Sequence, residues 1–388
     1  MPRPVPPPPP QPSAEETVRA VRYLRVVVVV GLLFFFGWSQ LAYGPDSFIQ
    51  AWGRDSSQSW MVHKARTLDP TTLRAHEGGD IVWLVGSSIL RESVDIPAIN
   101  EALASRGSRY RAQMFCQGRG AAGLASGMVA QLPIRSGDLL VHNVAVQNLR
   151  ADWLSWTGLP PARMSRMLSP AQLWDTRELP LPDRLEQLVA VPWNFWRWHD
   201  DTQAGLERWL EALASGRTAR KRRPHIFFRH SNRERASIYD HGPPDWEVDQ
   251  NLLTTDTIDF SPRQFNVQGL ERLRSWSTQH DVELVLLDIP PSAFAQWRLE
   301  TAGVRAEWAA WRDAQPDLAF APQLPDNAYY DRRHPNFRGR AALSAWLVDW
   351  LEAGHPRGTR TVTPESAVEL YPWSDAPGPA DADDLETL

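Results

Sequence analysis

The hydrophobic pattern of the chain changes period along its length. IVWLVG at 81–86 is an unbroken apolar run, which predicts a strand buried on both faces. SVDIPAINEALASRG at 93–107 then spaces its apolar residues for a helix and ends on glycine. YRAQMFCQG at 110–118 predicts a second strand that runs into the glycine-rich GRGAAG. LASGMVAQLP at 124–133 suits a helix, and DLLVHNVAVQN at 138–148 a third strand. This alternation predicts a parallel sheet with right-handed crossovers. Residues 150–262 interrupt it with Trp, Arg and Pro. There LPDRLEQLVAVPWNFWRW and GLERWLEALASG read as amphipathic helices of an insertion, for which a lid over the site is one role. The rhythm resumes at VQGLERLRSWSTQHDVELVLLDIPPS, 267–292, a helix leading into a strand that stops at Pro290-Pro291. DLAFAP at 317–322 predicts a last short strand, and NFRGRAALSAWLVDWLEAG at 336–354 a final helix.

The N-terminus follows another pattern. Residues 1–23 are proline-rich and predict a disordered tail. Arg19, Arg22 and Arg25 form a basic flank before VVVVVGLLFFFGWSQLAY, 26–43, which carries no charge. Residues 24–43 are long enough to cross a bilayer core of about 30 Å. Trp38 and Tyr43 suit its interface. The long region ahead of the apolar run and the lack of an A-x-A site argue for an uncleaved anchor over a signal peptide. Because the arginines precede the span, the N-terminus is expected in the cytoplasm and the rest outside it, periplasmic or extracellular. Residues 44–79 read as a polar stem, and 356–388, ending in DADDLETL, as a disordered acidic tail.

Composition adds exclusions. With 388 residues, 43% of them hydrophobic, the chain can bury a large core. A single cysteine, Cys116, rules out an internal disulfide and a multi-cysteine metal site. A net charge of −5 gives no sign of a nucleic-acid partner. The basic stretch ARKRRPHIFFRHSNRER, 219–235, reads as a solvated loop, with contact to lipid head groups or an anionic polymer as the functional alternative.

In an open parallel sheet, ligands bind beyond the carboxyl ends of the strands. The first three strands end in Gly86-Ser87-Ser88, Gly118-Arg119-Gly120 and Gln147-Asn148, which would line one crevice. Ser88 is either a helix cap or a nucleophile, and a base decides between them. YYDRRHPNFRG, 329–339, supplies one: Asp331 lies three residues before His334, just ahead of the final helix. That spacing lets the carboxylate fix one imidazole nitrogen and leaves the other to take the serine proton.

These blocks resemble the SGNH (GDSL-like) hydrolase superfamily, whose first block is Gly-Asp-Ser-like and whose last is Asp-x-x-His. Ser88 takes the nucleophile position, and Ser87 stands where aspartate is usual. GSSILR, GRGAAGLA (118–125), IPPSAFAQWRLETAG (289–303) and YYDRRHPNFRGRA look like the membrane-anchored branch typified by DltD, the D-alanine transfer protein of teichoic acids. The likeness covers roughly residues 80–352 and is carried by the blocks. It implies a three-layer α/β/α sandwich over 80–355, with a helical insertion at about 150–262, and a Ser88–His334–Asp331 triad. It also implies an oxyanion hole built from the Ser88 N–H, a glycine N–H at Gly118 or Gly120, and an asparagine amide. Asn148 sits at the strand end where that amide belongs, whereas Asn143 reads as mid-strand. The expected activity is acyl transfer or ester hydrolysis on a cell-surface polymer or glycan, without metal or cofactor, alongside a multi-pass membrane O-acyltransferase. Gly-x-Asn-Asp, usual in the superfamily, is missing. That departure admits a second reading, a non-catalytic module that binds a surface polymer or an O-acyltransferase partner.

Overall fold

The structure is a computed structural model that describes residues 14–42, 57–76, 79–118, 120–154, 164–193, 257–293 and 303–358, with scattered positions at 197–214 and 295–299. The expectations of disorder for 1–13 and 359–388, and the basic stretch 219–235, lie outside the described residues.

The first helix, α1 (Ala14–Ala42), contains an apolar stretch, Thr17–Leu41, long enough to cross a membrane. It begins inside the segment expected to be a disordered tail. Strong helix formers and the Glu15–Arg19 ion pair, 2.7 Å long and one turn apart, extend it toward the N-terminus. Part of the predicted stem is also folded. Helix α2 (Ser57–Thr67) and a single turn, Pro70–Leu73, send Met61, Val62, Ala65 and Leu73 into the core.

Strands β1 (Asp80–Gly86), β2 (Tyr110–Cys116), β3 (Leu139–Val144), β4 (Glu283–Asp288) and β5 (Leu318–Phe320) form one parallel sheet. Their order is β2-β1-β3-β4-β5. Successive residues of each strand point to opposite faces. Ile81, Trp83 and Val85 join one hydrophobic cluster, and Val82 and Leu84 the other. The remaining named helices are α3 (Ser88–Ser93), α4 (Ile96–Ser105), α5 (Ala122–Val129), α6 (Pro170–Trp174), α7 (Leu181–Ala190), α8 (Phe265–His280), α9 (Val304–Asp313) and α10 (Phe337–Glu352). α5 and α8 supply the first cluster, α4 and α10 the second. Asp95, Ser169 and Asn336 cap α4, α6 and α10 through their side chains, as their short polar groups favour.

The insertion leaves and rejoins the sheet through a narrow neck. Ala151 N–H donates to Thr257 O at 2.9 Å and Asp259 N–H to Leu149 O at 2.8 Å. Its described part packs into the first cluster through Trp153, Met164, Met167, Leu168 and Leu173. Contact with the sheet continues beyond α10: Gly358 N–H donates to Leu318 O at 2.9 Å. Residues 356–358 of the segment read as a disordered tail are therefore held against the sheet.

Asp138 fastens the segment before β1 to the sheet. Its buried carboxylate accepts from Arg74 Nη1 and Nη2 at 2.7 and 2.6 Å, from Trp83 Nε1 at 2.8 Å, and from the Ile81 and Arg135 N–H groups at 3.0 Å. Burial pushes this carboxyl up, but Arg74, Trp83 and the backbone donors outweigh it and hold it below the usual range.

Candidate active site

The strand order reverses between β1 and β3, since the chain steps from β1 to β2 on one side and then to β3 on the other. Crevices open at such points. Gly86 ends β1 opposite Cys116 of β2, and the neighbouring pair across β1 and β3 is Val85–His142. Ser88 is thus raised at the reversal point. Ser87 caps α3: it sits in extended backbone and its Oγ accepts the Ile89 N–H at 3.2 Å. The cap role therefore belongs to Ser87, and Ser88, half-buried, is left for other work.

Ser88 Oγ lies 3.0 Å from His334 Nε2, and His334 Nδ1 lies 2.8 Å from Asp331 Oδ2. A carboxylate only accepts, so Nδ1 carries the proton and Nε2 accepts from the serine hydroxyl. Asp331 Oδ1 accepts the Arg333 and His334 N–H groups, both at 2.8 Å. Burial pushes the Asp331 carboxyl up. The hydrogen bond from His334 and its electrostatic attraction, with the two backbone donors, prevail and lower it on balance.

The loop that carries both residues is clamped at its ends. Tyr330 N–H donates to His334 O at 3.1 Å, and Asn336 N–H to Ala328 O at 2.8 Å. The end of β4 props it from the side: Tyr329 Oη donates to Pro290 O at 2.9 Å, and Ser292 N–H to Arg332 O at 3.0 Å. The Tyr330 ring stacks on the His334 imidazole, with centroids 5.5 Å apart and planes 13° from parallel. The imidazole is fixed by one carboxylate, one ring face and a closed loop.

The expected oxyanion donors separate on inspection. Neither the Ser88 N–H nor the Gly118 N–H makes a hydrogen bond among the described residues. The Gly120 N–H is engaged with Gln117 O at 3.0 Å, so it is not a free donor. Glycine stands at 120 for packing, because a Cβ there would run into Gly86 O and Gln117. Arg119 lies outside the described residues. Asn148 is buried in a 3-10 turn, Val146–Leu149, just past β3. Two amides hold its backbone carbonyl, Gln264 Nε2 at 3.1 Å and Asn266 Nδ2 at 2.5 Å, and its backbone N–H donates to Ala145 O at 2.9 Å, while its side-chain amide makes no hydrogen bond among the described residues.

Asn143 is the residue that the sequence pattern misplaced. β3 ends at Val144, so Asn143 is the last residue but one of the strand. It is fully buried, accepts the Ser87 N–H at 2.8 Å and donates through Nδ2 to Ser87 Oγ at 3.0 Å. Its amide lies where a side chain on Gly86 would stand, which is why the strand ends on glycine. The signal was present: His142 and Asn143 are consecutive polar residues in an otherwise apolar strand. Asn143 and Asn148 line one small cavity with His142 and Asn266. Burial lowers His142 to about 4, so it is neutral and its Nδ1–H donates to Val85 O at 2.7 Å. Cys116 is buried, and burial pushes its thiol up to about 12, so no thiolate forms beside the site.

No family model matches the chain, and no curated protein matches it.

Proposed function

We propose that the chain is a membrane-anchored, extracytoplasmic serine acyltransferase or esterase of SGNH type, related to the DltD-like branch. The observation that carries this reading is the relay Ser88 Oγ–His334 Nε2–Asp331, with its 3.0 and 2.8 Å links. Hydrophobic clusters on the two faces of the sheet, each with its own helices, support a three-layer α/β/α arrangement. α1 is read as the anchor, with the N-terminus in the cytoplasm.

Ser88 Oγ attacks an ester or thioester carbonyl carbon as its proton passes to His334 Nε2. Asp331 keeps the imidazole in the accepting tautomer and balances the imidazolium that forms. The Ser88 N–H, the Gly118 N–H and the Asn148 amide hold the oxyanion. Losing one such donor costs about 3–4 kcal/mol of transition-state stabilisation. When the carbon–heteroatom bond breaks, His334 returns the proton to the leaving group. A hydroxyl of a cell-surface polymer or glycan, or water, then gives its proton to His334 and attacks the acyl carbon, and His334 passes that proton to Ser88 Oγ as the bond to the acyl group breaks. A multi-pass membrane O-acyltransferase is the partner that this chemistry would serve.

The test uses the full chain in detergent, a fluorophosphonate probe and p-nitrophenyl acetate. Labelling and turnover are expected in the parent and lost in Ser88→Ala and His334→Ala. Asp331→Asn is expected to lose on the order of 10³- to 10⁴-fold in kcat by favouring the wrong tautomer. A folded parent that neither labels nor turns over would sink the enzyme reading and favour the non-catalytic module.

A further inference from the structure

α7 buries Ala190 and Gln187 but leaves an aliphatic stripe on its outer side. Gln187 is 0% exposed, while Leu181, Leu185 and Val189, spaced four apart, are 50%, 49% and 58% exposed. A helix at a protein–water boundary does the reverse, with its aliphatic stripe inward. Trp174 is exposed alongside: the Arg184 guanidinium lies 5.6 Å over its ring and Nη1 donates to Trp174 O at 3.1 Å. Further on, Leu206, Leu210 and Leu213 repeat the exposed helical spacing. Single exposed leucines are ordinary, but stripes at helical period are not.

The end of α7 indicates what covers the stripe. Trp193 Nε1 donates to Ser39 Oγ at 2.9 Å, and Gln40 Nε2 donates to Pro192 O at 2.7 Å. The Trp193 ring meets Phe35 edge-on, with centroids 6.2 Å apart. Ser39 is buried by this contact within an otherwise exposed helix. Phe35 to Gln40 form the last turns of the apolar stretch Thr17–Leu41. At ~1.5 Å per residue, Phe35 is about 9 Å from the end of that stretch. The end of α7 is therefore pinned at the depth where amphipathic helices lie in a bilayer, roughly 5–10 Å below the head-group boundary.

We propose that α7, together with the stretch carrying Leu206, Leu210 and Leu213, lies in the outer face of the bilayer with its aliphatic stripe in lipid. The catalytic domain then rests on the membrane at two places, α1 and α7, and does not hang from a tether. Trp174 and Trp193 sit at the polar boundary, where indole is favoured. The proposal rests on the reading of α1 as a membrane span.

The test places the full chain in lipid nanodiscs, with single cysteines carrying an environment-sensitive fluorophore. Leu185→Cys and Val189→Cys report on α7, Val28→Cys on α1, and Ser105→Cys on an exposed position of α4. The native Cys116 is buried and does not compete for label. Labels at 185 and 189 are expected to lose emission to lipids brominated near the head group. The label at 28 should lose it to lipids brominated deep in the chains, and the label at 105 to neither. Quenching at 28 without quenching at 185 and 189 overturns the proposal and leaves the anchor standing. Aqueous iodide then separates a bare stripe from one covered by a second copy or a membrane partner. No lipid quenching at 28 removes anchor and proposal together.

Discussion

At the scale of single residues, the site depends on a side chain that touches no reacting atom. Asn143 gives Ser87 both an acceptor and a donor, and so fixes the turn that presents Ser88. Removing it leaves a buried N–H unsatisfied, at about 1–3 kcal/mol. It also frees the turn, and a misplacement of about 1 Å can cost 100-fold in rate. Asn143→Ala is therefore expected to lower Tm and to cut kcat toward p-nitrophenyl acetate by roughly 10- to 100-fold, with KM little changed. Asn143→Asp, which keeps the acceptor, should recover part of both. If kcat stays at the parent value while Tm falls, Asn143 serves the fold alone.

At the scale of elements, α5 and α8 approach so closely that backbone meets backbone. A Cβ on Gly269 would enter the Ala122–Gly123 peptide. Gly269→Ala gains about 1 kcal/mol in helix propensity, but overpacking costs about 1–3 kcal/mol, and backbone cannot swing aside as a side chain can. Net destabilisation is expected in thermal unfolding, with lower activity because α5 continues the loop that carries Gly118; a stabilised variant would contradict this packing. Elements were legible in the sequence where one regular pattern runs the length of the segment. The buried run of β1, the short β5 and the amphipathic α10 all fall where their patterns put them. Short or mixed segments were not legible. α3 has only a single polar cap to mark it and lies, but for Ser93, ahead of the helix predicted at 93–107. Helix α2 looked like stem because its inward residues, Met61, Val62 and Ala65, are few among polar neighbours. The triad could be read from Asp-x-x-His and the serine after β1. Asn143 could not, because strand ends are blurred by a residue or more and a period-2 pattern does not say where pairing stops.

At the scale of the whole molecule, two buried groups give stability opposite slopes with pH. Burial lowers His142 from 6.5 to about 4. Between those values the unfolded chain binds a proton that the folded chain refuses, so stability falls as pH drops through this window, by on the order of 3 kcal/mol in all. Burial raises Glu178 from 4.5 to about 7, with Asp259 and Asp152 adding to it against the Phe265 N–H. There the folded chain keeps a proton that the unfolded chain releases, so stability falls as pH rises from about 4.5 to about 7. The two effects offset each other over the shared range. Glu178→Gln is expected to steepen the loss of Tm on acidification below pH 6.5, the unfolded value for His142. An unchanged pH profile in this variant would show that Glu178 titrates normally.

The Ser88–His334 hydrogen bond joins residues 246 apart in sequence. β1 pairs with β2 after a short crossover, but His334 reaches Ser88 only once β4 and β5 have been laid on the far side of β3 and the start of α10 has returned against α3 and α4. Contacts of such separation carry the largest loop-closure cost and form late. On the proposed function, the reactivity of Ser88 is then a clock for completed assembly. After dilution from denaturant, helical ellipticity should return first and fluorophosphonate reactivity last, and simultaneous recovery would mean that the two ends of the domain meet early.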